Sequence, residues 1–184
     1  AAAAVASATE GEPLTLGMEL EIENTTIEAG RILRRADGGL AIDDRFVVVG
    51  DGTAARPYEV TWEYLFSASE RYQPRLGELA IPQRIAMLDG AFVRISGYLA
   101  FPLLVGSTNE CLVMLNQWDG CCIGVPPTPY DAIEVRLNEA TSTGAKHSSP
   151  FGTITGRLRV DPYIVKDWLV GLYVMDGADL DTDL

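Results

Sequence analysis

The chain has 184 residues, with 14 Lys+Arg against 26 Asp+Glu and a formal net charge of −12. That sign speaks against a nucleic-acid surface, because binding to phosphates relies on cations that displace counterions. Its 47 % apolar residues are enough for a core without metal or disulfide staples, and the longest apolar run, Tyr98 to Val105, is too short for a membrane span and holds Pro102.

Residues 1–8 read AAAAVASA, the small-residue composition found around a signal-peptidase cleavage site. The expectation is an exported chain, periplasmic or otherwise extracytoplasmic, with a flexible alanine-rich linker as the alternative. Residues 1–13 lack periodicity and end in Gly11-Glu12-Pro13, so they read as a flexible arm. From Leu14 the apolar positions Leu14, Leu16, Met18, Leu20 and Ile22 alternate, the period of a half-buried strand. Asp37-Gly38-Gly39 supplies a tight turn for a hairpin between Ile27 and Ile42, although Glu28–Arg35 would also tolerate a helix. Phe46–Val49 is a short β-branched run that ends at Gly50-Asp51-Gly52, and residues 14–56 form a β-rich N-terminal extension.

Thr61 reads as a helix N-cap that puts Trp62 and Leu65 on one face, and Pro82–Leu88 supplies a second helical turn. After Asp89-Gly90 the pattern is β: Phe92, Arg94, Ser96 and Tyr98 alternate with Val93, Ile95, Gly97 and Leu99. Further strands are predicted at Leu112–Leu115, Ile133–Leu137, Gly152–Val160 and Leu169–Met175, with residues 179–184 as an acidic tail. The fold class expected is mainly β, with one or two short helices. Five short strands with glycines inside the first and fourth suggest a small barrel over residues 57–178, in an order that resembles the oligonucleotide/oligosaccharide-binding (OB) barrel.

The densest local signal runs from Trp118 to Tyr130. Two adjacent cysteines, Cys121 and Cys122, precede Gly124 and the prolines Pro126, Pro127 and Pro129, which gives a stiff loop with a largely preset backbone. Such a loop presents either thiols or a recognition surface. Val60, Trp62 and Leu65, then Leu88-Asp89-Gly90 with Val93-Arg94-Ile95-Ser96-Gly97-Tyr98, Leu112-Val113, Cys121-Cys122-Ile123-Gly124-Val125-Pro126-Pro127 and Gly156-Arg157-Leu158 follow one another in a distinctive order. In that order the chain resembles a family of uncharacterised bacterial exported proteins and lipoproteins known mainly as a domain of unknown function, over about residues 58–178. The resemblance implies an OB-like barrel in the periplasm or on the outer face of a membrane, often encoded near transport systems, with some members linked to zinc handling. Members with that link carry a histidine in the cysteine loop and an Asn after a longer proline run, whereas this chain has Gly124 and Tyr130-Asp131 near those places.

Zinc requires about four ligands of Cys, His, Asp or Glu character. The candidate metal set is Cys121, Cys122, Cys111 and His147, the last being the one histidine of the chain. The competing reading buries Cys111 on the second barrel strand and joins it to one of the adjacent pair as a disulfide. Redox work by the vicinal pair ranks below both, because adjacent cysteines close a strained ring. No G-x-S-x-G elbow, phosphate-binding glycine loop or heme attachment site occurs, so an enzyme is not expected and no cofactor other than zinc is considered. Trp62, Trp118, Tyr130, Tyr163 and Trp168 lie in or beside loops and serve either as interface anchors or as plugs that close the barrel ends. Trp118, Pro126, Pro127, Pro129 and Tyr130 form the candidate interface. The expected role is a non-enzymatic accessory or scaffold protein that docks onto protein subunits of a membrane-associated complex. The alternative is a zinc- or copper-binding protein associated with a transport system.

Overall fold

The computed structural model describes residues 12–13, 21–102, 106–118, 124–142 and 150–182. The alternating segment 14–20 lies outside them. In the N-terminal part, β1 (Glu12–Pro13), β3 (Ile32–Arg34), β4 (Leu40–Ile42) and β5 (Phe46–Val48) form a four-stranded sheet, and β2 (Thr26–Glu28) lies apart from it. The β3–β4 hairpin turns at Asp37-Gly38-Gly39 as predicted, with Gly38 in the left-handed region at φ 84° and Asp37 accepting from the Gly39 amide at 3.0 Å. The helix that Glu28–Arg35 would tolerate does not form, because Ile32 pairs with Ile42 and buries against the core.

After β6 (Tyr58–Glu59) the chain enters the short helix α1 (Trp62–Phe66), which continues as a tighter turn, Ser67–Glu70. The predicted cap is present: Thr61 Oγ1 accepts from the Tyr64 amide at 3.2 Å, and Trp62, Tyr64 and Leu65 are buried. Strands β7 (Tyr72–Gln73) and β8 (Glu78–Pro82) form a three-stranded sheet with β2, and α2 (Gln83–Ala86) leads into the long strands. Phe46 stands edge-on to Tyr64 with ring centroids 5.1 Å apart, so the N-terminal sheet and the helical connector share one apolar core.

The remaining strands are β9 (Phe92–Ala100), β10 (Ser107–Met114), β11 (Ala132–Ser142), β12 (Phe151–Val165) and β13 (Trp168–Asp181). The molecule is mainly β. Pairing runs β9–β10–β11–β13–β12 and returns to β9, while β6 adds at one side of β9. All of these ladders are antiparallel except β11–β13 and β6–β9. Alternation sorts the side chains: Val93, Ile95 and Leu99 on β9, Ile133, Val135 and Leu137 on β11, and Leu158 and Val160 on β12 are buried. The helical connector covers this core. Trp62 Nε1 donates to the Ser96 carbonyl at 2.8 Å, and the buried Tyr173 hydroxyl donates to the Leu65 carbonyl at 2.8 Å.

Two glycines foreseen as bend points serve close approach. A Cβ on Gly97 would lie 2.7 Å from the Met114 carbonyl oxygen and 2.9 Å from the Trp62 ring, and one on Gly156 would lie 2.8 Å from Met175 Cγ. Strand β13 continues through Asp179 and Asp181, which pair with Thr155 and Thr153, so much of the segment set apart as an acidic tail belongs to the sheet. Asp179 and Asp181 are exposed while Ala178 is buried and Leu180 half-buried, which is how a charged stretch fits a strand. Among the described residues no helix is long and apolar enough to cross a membrane.

Candidate functional site

Of the candidate metal set, Cys121, Cys122 and His147 lie outside the described residues. Cys111 is buried on β10, as the competing reading has it, and is a free thiol there without the disulfide that reading joined to it. Burial pushes the Cys111 thiol up to about 12. Among the described residues no group of three or more His, Cys, Asp or Glu side chains is placed to hold a metal ion.

The described part of the proline loop is tied down by its own hydrogen bonds. Trp118 bridges to Gly124, and the Val125 amide donates to the Gln117 carbonyl at 3.1 Å. Gly124 has φ 98°, and a Cβ there would meet the Gln117 carbonyl oxygen at 1.8 Å, so only glycine can close this turn. Beyond it, the buried Asp131 accepts from the Thr128 amide at 2.6 Å and from the Thr128 hydroxyl at 2.9 Å. Pro126 is exposed, while Pro127 and Pro129 are half-buried. The Tyr130 hydroxyl donates to the Tyr72 carbonyl at 2.7 Å, and its ring meets Phe66 edge-on at 6.1 Å. The loop is thus anchored to the helical connector through Tyr130, and Pro126 stays open to solvent.

The aromatics that sequence reasoning could not sort fall into two groups. Trp62 is buried and Tyr130 half-buried, both hydrogen-bonded within the chain, whereas Tyr163 and Trp168 are 60 % and 56 % exposed. These two flank the turn of the β12–β13 hairpin, where Lys166 and Asp167 both adopt positive φ, 49° and 68°. Ile164, Val165 and Val170 around them are exposed as well. Successive residues of a strand face opposite sides, so exposure of Tyr163, Ile164 and Val165 in sequence leaves both faces of the ribbon bare. The Arg75 guanidinium lies over the Trp168 ring at 3.9 Å, which holds the indole against the turn Pro74–Leu76.

A second feature is a charged cavity of about 250 Å³ between the N-terminal sheet and the helical connector. Arg84 reaches into it and pairs with Asp43 and Glu70, both at 2.9 Å, while its Nε donates to Ser67 Oγ at 2.9 Å. Arg71 pairs with Glu28 across its mouth. These charges neutralise one another and clamp the two parts together, which makes the cavity a structural joint.

The chain matches no protein-family model and no curated protein. It is similar to the crystal structure of a DUF3299 family protein from Pseudomonas aeruginosa PAO1, at 19 % identity and a TM-score of 0.41, over 52 % of this chain and 62 % of that one. A likeness of that extent leaves fold and function to be argued from the chain itself.

Proposed function

We propose that the chain is a docking module, a non-catalytic accessory protein that attaches to protein subunits of a larger membrane-associated assembly. The observation that carries this reading is the bare ribbon at the β12–β13 turn, with Tyr163, Ile164, Val165, Trp168 and Val170 all exposed. Contiguous exposed apolar surface marks interaction sites, and aromatic anchors on a rigid two-stranded ribbon lose little conformational entropy on burial. The anchored loop with Pro126, Pro127 and Pro129 is proposed as a second contact, with Trp118 beside it. The pairing cycle β9–β10–β11–β13–β12, with its parallel β11–β13 ladder, supports reading the body as a five-stranded OB-like barrel. On that reading the barrel is a rigid stand from which the ribbon projects.

The test is the native size of the protein in gently solubilised source membranes, measured for the wild type and for a triple variant, Tyr163→Ser, Val165→Ser and Trp168→Ser. The wild type is expected in a large complex and the variant near its own mass of 19.9 kDa. The three side chains are exposed, so the variant should keep its circular dichroism spectrum and melting temperature. A wild type that migrates alone, or a folded variant that remains in the complex, overturns the proposal.

A further inference from the structure

A cleft of about 360 Å³ opens on the outer face of β9, β10, β11 and β13. Register builds its floor: Leu112 pairs with Ala100 on one side and Glu134 on the other, and Glu134 pairs with Val174. Ala100, Leu112 and Val174 are half-buried and apolar, and Glu134 stands exposed in the middle of their row. Glu110 lies beside it on the same face of β10, opposite Arg136 on β11.

The charges on this face are unevenly matched. Arg136 leans on Asp176 at 3.6 Å, and Arg159 pairs with Asp176 at 2.8 Å and with Asp161 at 2.6 Å. Glu110 and Glu134 have no such ion-pair partner among the described residues. An anion entering the cleft would meet two carboxylates and an arginine already engaged. A neutral apolar ligand would desolvate Glu134 without replacing its water, which is costly. A cation with an apolar body satisfies both parts of the surface, and the chain's formal charge of −12 raises the local concentration of such a ligand.

We infer that this cleft is a binding site for an organic ammonium ion, with its apolar body on the Ala100–Leu112–Val174 row and its cationic end at Glu134 and Glu110. The volume lies at the small end of ligand pockets, about 300–1,000 Å³, and suits one short aromatic or aliphatic amine. The amine is either a free small molecule or the lysine of a partner chain. The cleft uses none of the ribbon residues, so this inference and the docking proposal fail independently.

The test is an amide NMR titration of the full chain with phenethylamine and with 3-phenylpropionate, which share a similar body and carry opposite charge. A second arm uses the peptide acetyl-Gly-Phe-Lys-Gly-amide and its Glu-for-Lys counterpart. The expected result is saturable shifts at Leu112, Glu134 and Val174 for the cationic probes, with the anionic ones at least about tenfold weaker. Glu134→Gln, a shape-conserving change at an exposed position, should weaken the cationic probes by about tenfold and reduce their salt dependence. Tighter binding of the free amine points to a small-molecule ligand, and tighter binding of the peptide to a partner's lysine. Equal binding of the anionic probes, no saturable binding of any cationic probe, or an unchanged affinity in Glu134→Gln overturns the inference.

Discussion

Replacing Gly97 by alanine tests whether the close approach between β9, β10 and α1 is as tight as the structure has it. The new methyl would sit 2.7 Å from the Met114 carbonyl oxygen and 2.9 Å from both Trp62 and Val113 Cγ1. The first contact is with backbone at the end of β10 and cannot be relieved by a rotamer change. Overpacking of this kind costs about 1–3 kcal/mol. Displacement of Trp62 would also weaken its indole bond to the Ser96 carbonyl, a loss of about 1 kcal/mol. Against this, alanine restricts the unfolded chain and returns about 0.4–1 kcal/mol. The net loss is about 1–3.6 kcal/mol, which for a chain of this size lowers the melting temperature by about 2–14 °C. Urea titration followed by tryptophan fluorescence should show a lower midpoint with an unchanged slope. Gly106→Ala is the control, since nothing lies within 4 Å of a Cβ there. A Gly97→Ala variant within about 0.5 kcal/mol of wild type, or a control that loses as much, would refute the reasoning.

Arg84→Met should lower stability by about 2–4 kcal/mol, because it takes the ion-pair partner from Asp43 at the joint beneath the N-terminal sheet, while Glu70 keeps Arg45. Adding Asp43→Asn should restore part of that loss, and strict additivity of the two changes in urea titrations would count against a coupled pair. Tyr173→Phe should cost about 1 kcal/mol through its lost bond to the Leu65 carbonyl, read from the thermal midpoint, and a neutral result would show that the bond adds nothing net. Native protein should leave Cys111 unlabelled by a thiol reagent at pH 8 and expose it on unfolding, as measured by mass spectrometry of peptides containing that residue. Burial raises the Cys111 thiol and the Tyr72 phenol to about 12, so their contribution to stability is complete below their unfolded values near 9 and 10. It is lost as pH rises from there toward 12, and a midpoint that stays constant across that window would contradict their burial.

Local chemistry was readable where neighbours in sequence decide the outcome. Thr61 caps its helix, Asp37-Gly38-Gly39 turns its hairpin, and the alternation from Phe92 to Leu99 marks the faces of β9 correctly. The alternation predicts the fourth strand only as far as Val160, and Asp161 and Pro162 follow. In the structure a register shift between Val160 and Tyr163 absorbs the proline, and pairing resumes at Tyr163 with Gly171. No local pattern carries that information. The same holds for the sites. Whether an aromatic side chain is a plug or a bare anchor depends on a distant carbonyl, Ser96 for Trp62 and Tyr72 for Tyr130, and among the described residues Tyr163 and Trp168 bond to none. Glu110 and Glu134 share one face only through the register of β10 on β11, which sets Glu110 opposite Arg136 and Glu134 opposite Leu112, so their placement has no signature in sequence.

The parallel ladder between β11 and β13 has a bearing on synthesis. Until β13 has left the ribosome, β11 has no neighbour on that side and β12 is paired with β9 alone, so two strand edges stand open in the nascent chain. Closure then depends on contacts far apart in sequence, which form slowly. A chain cut short at the Lys166-Asp167 turn would keep most of its residues and still lose both ladders at once. Strand β13 therefore covers two edges at once, and a chain that stops before it presents open edges of the kind that chaperones and proteases recognise.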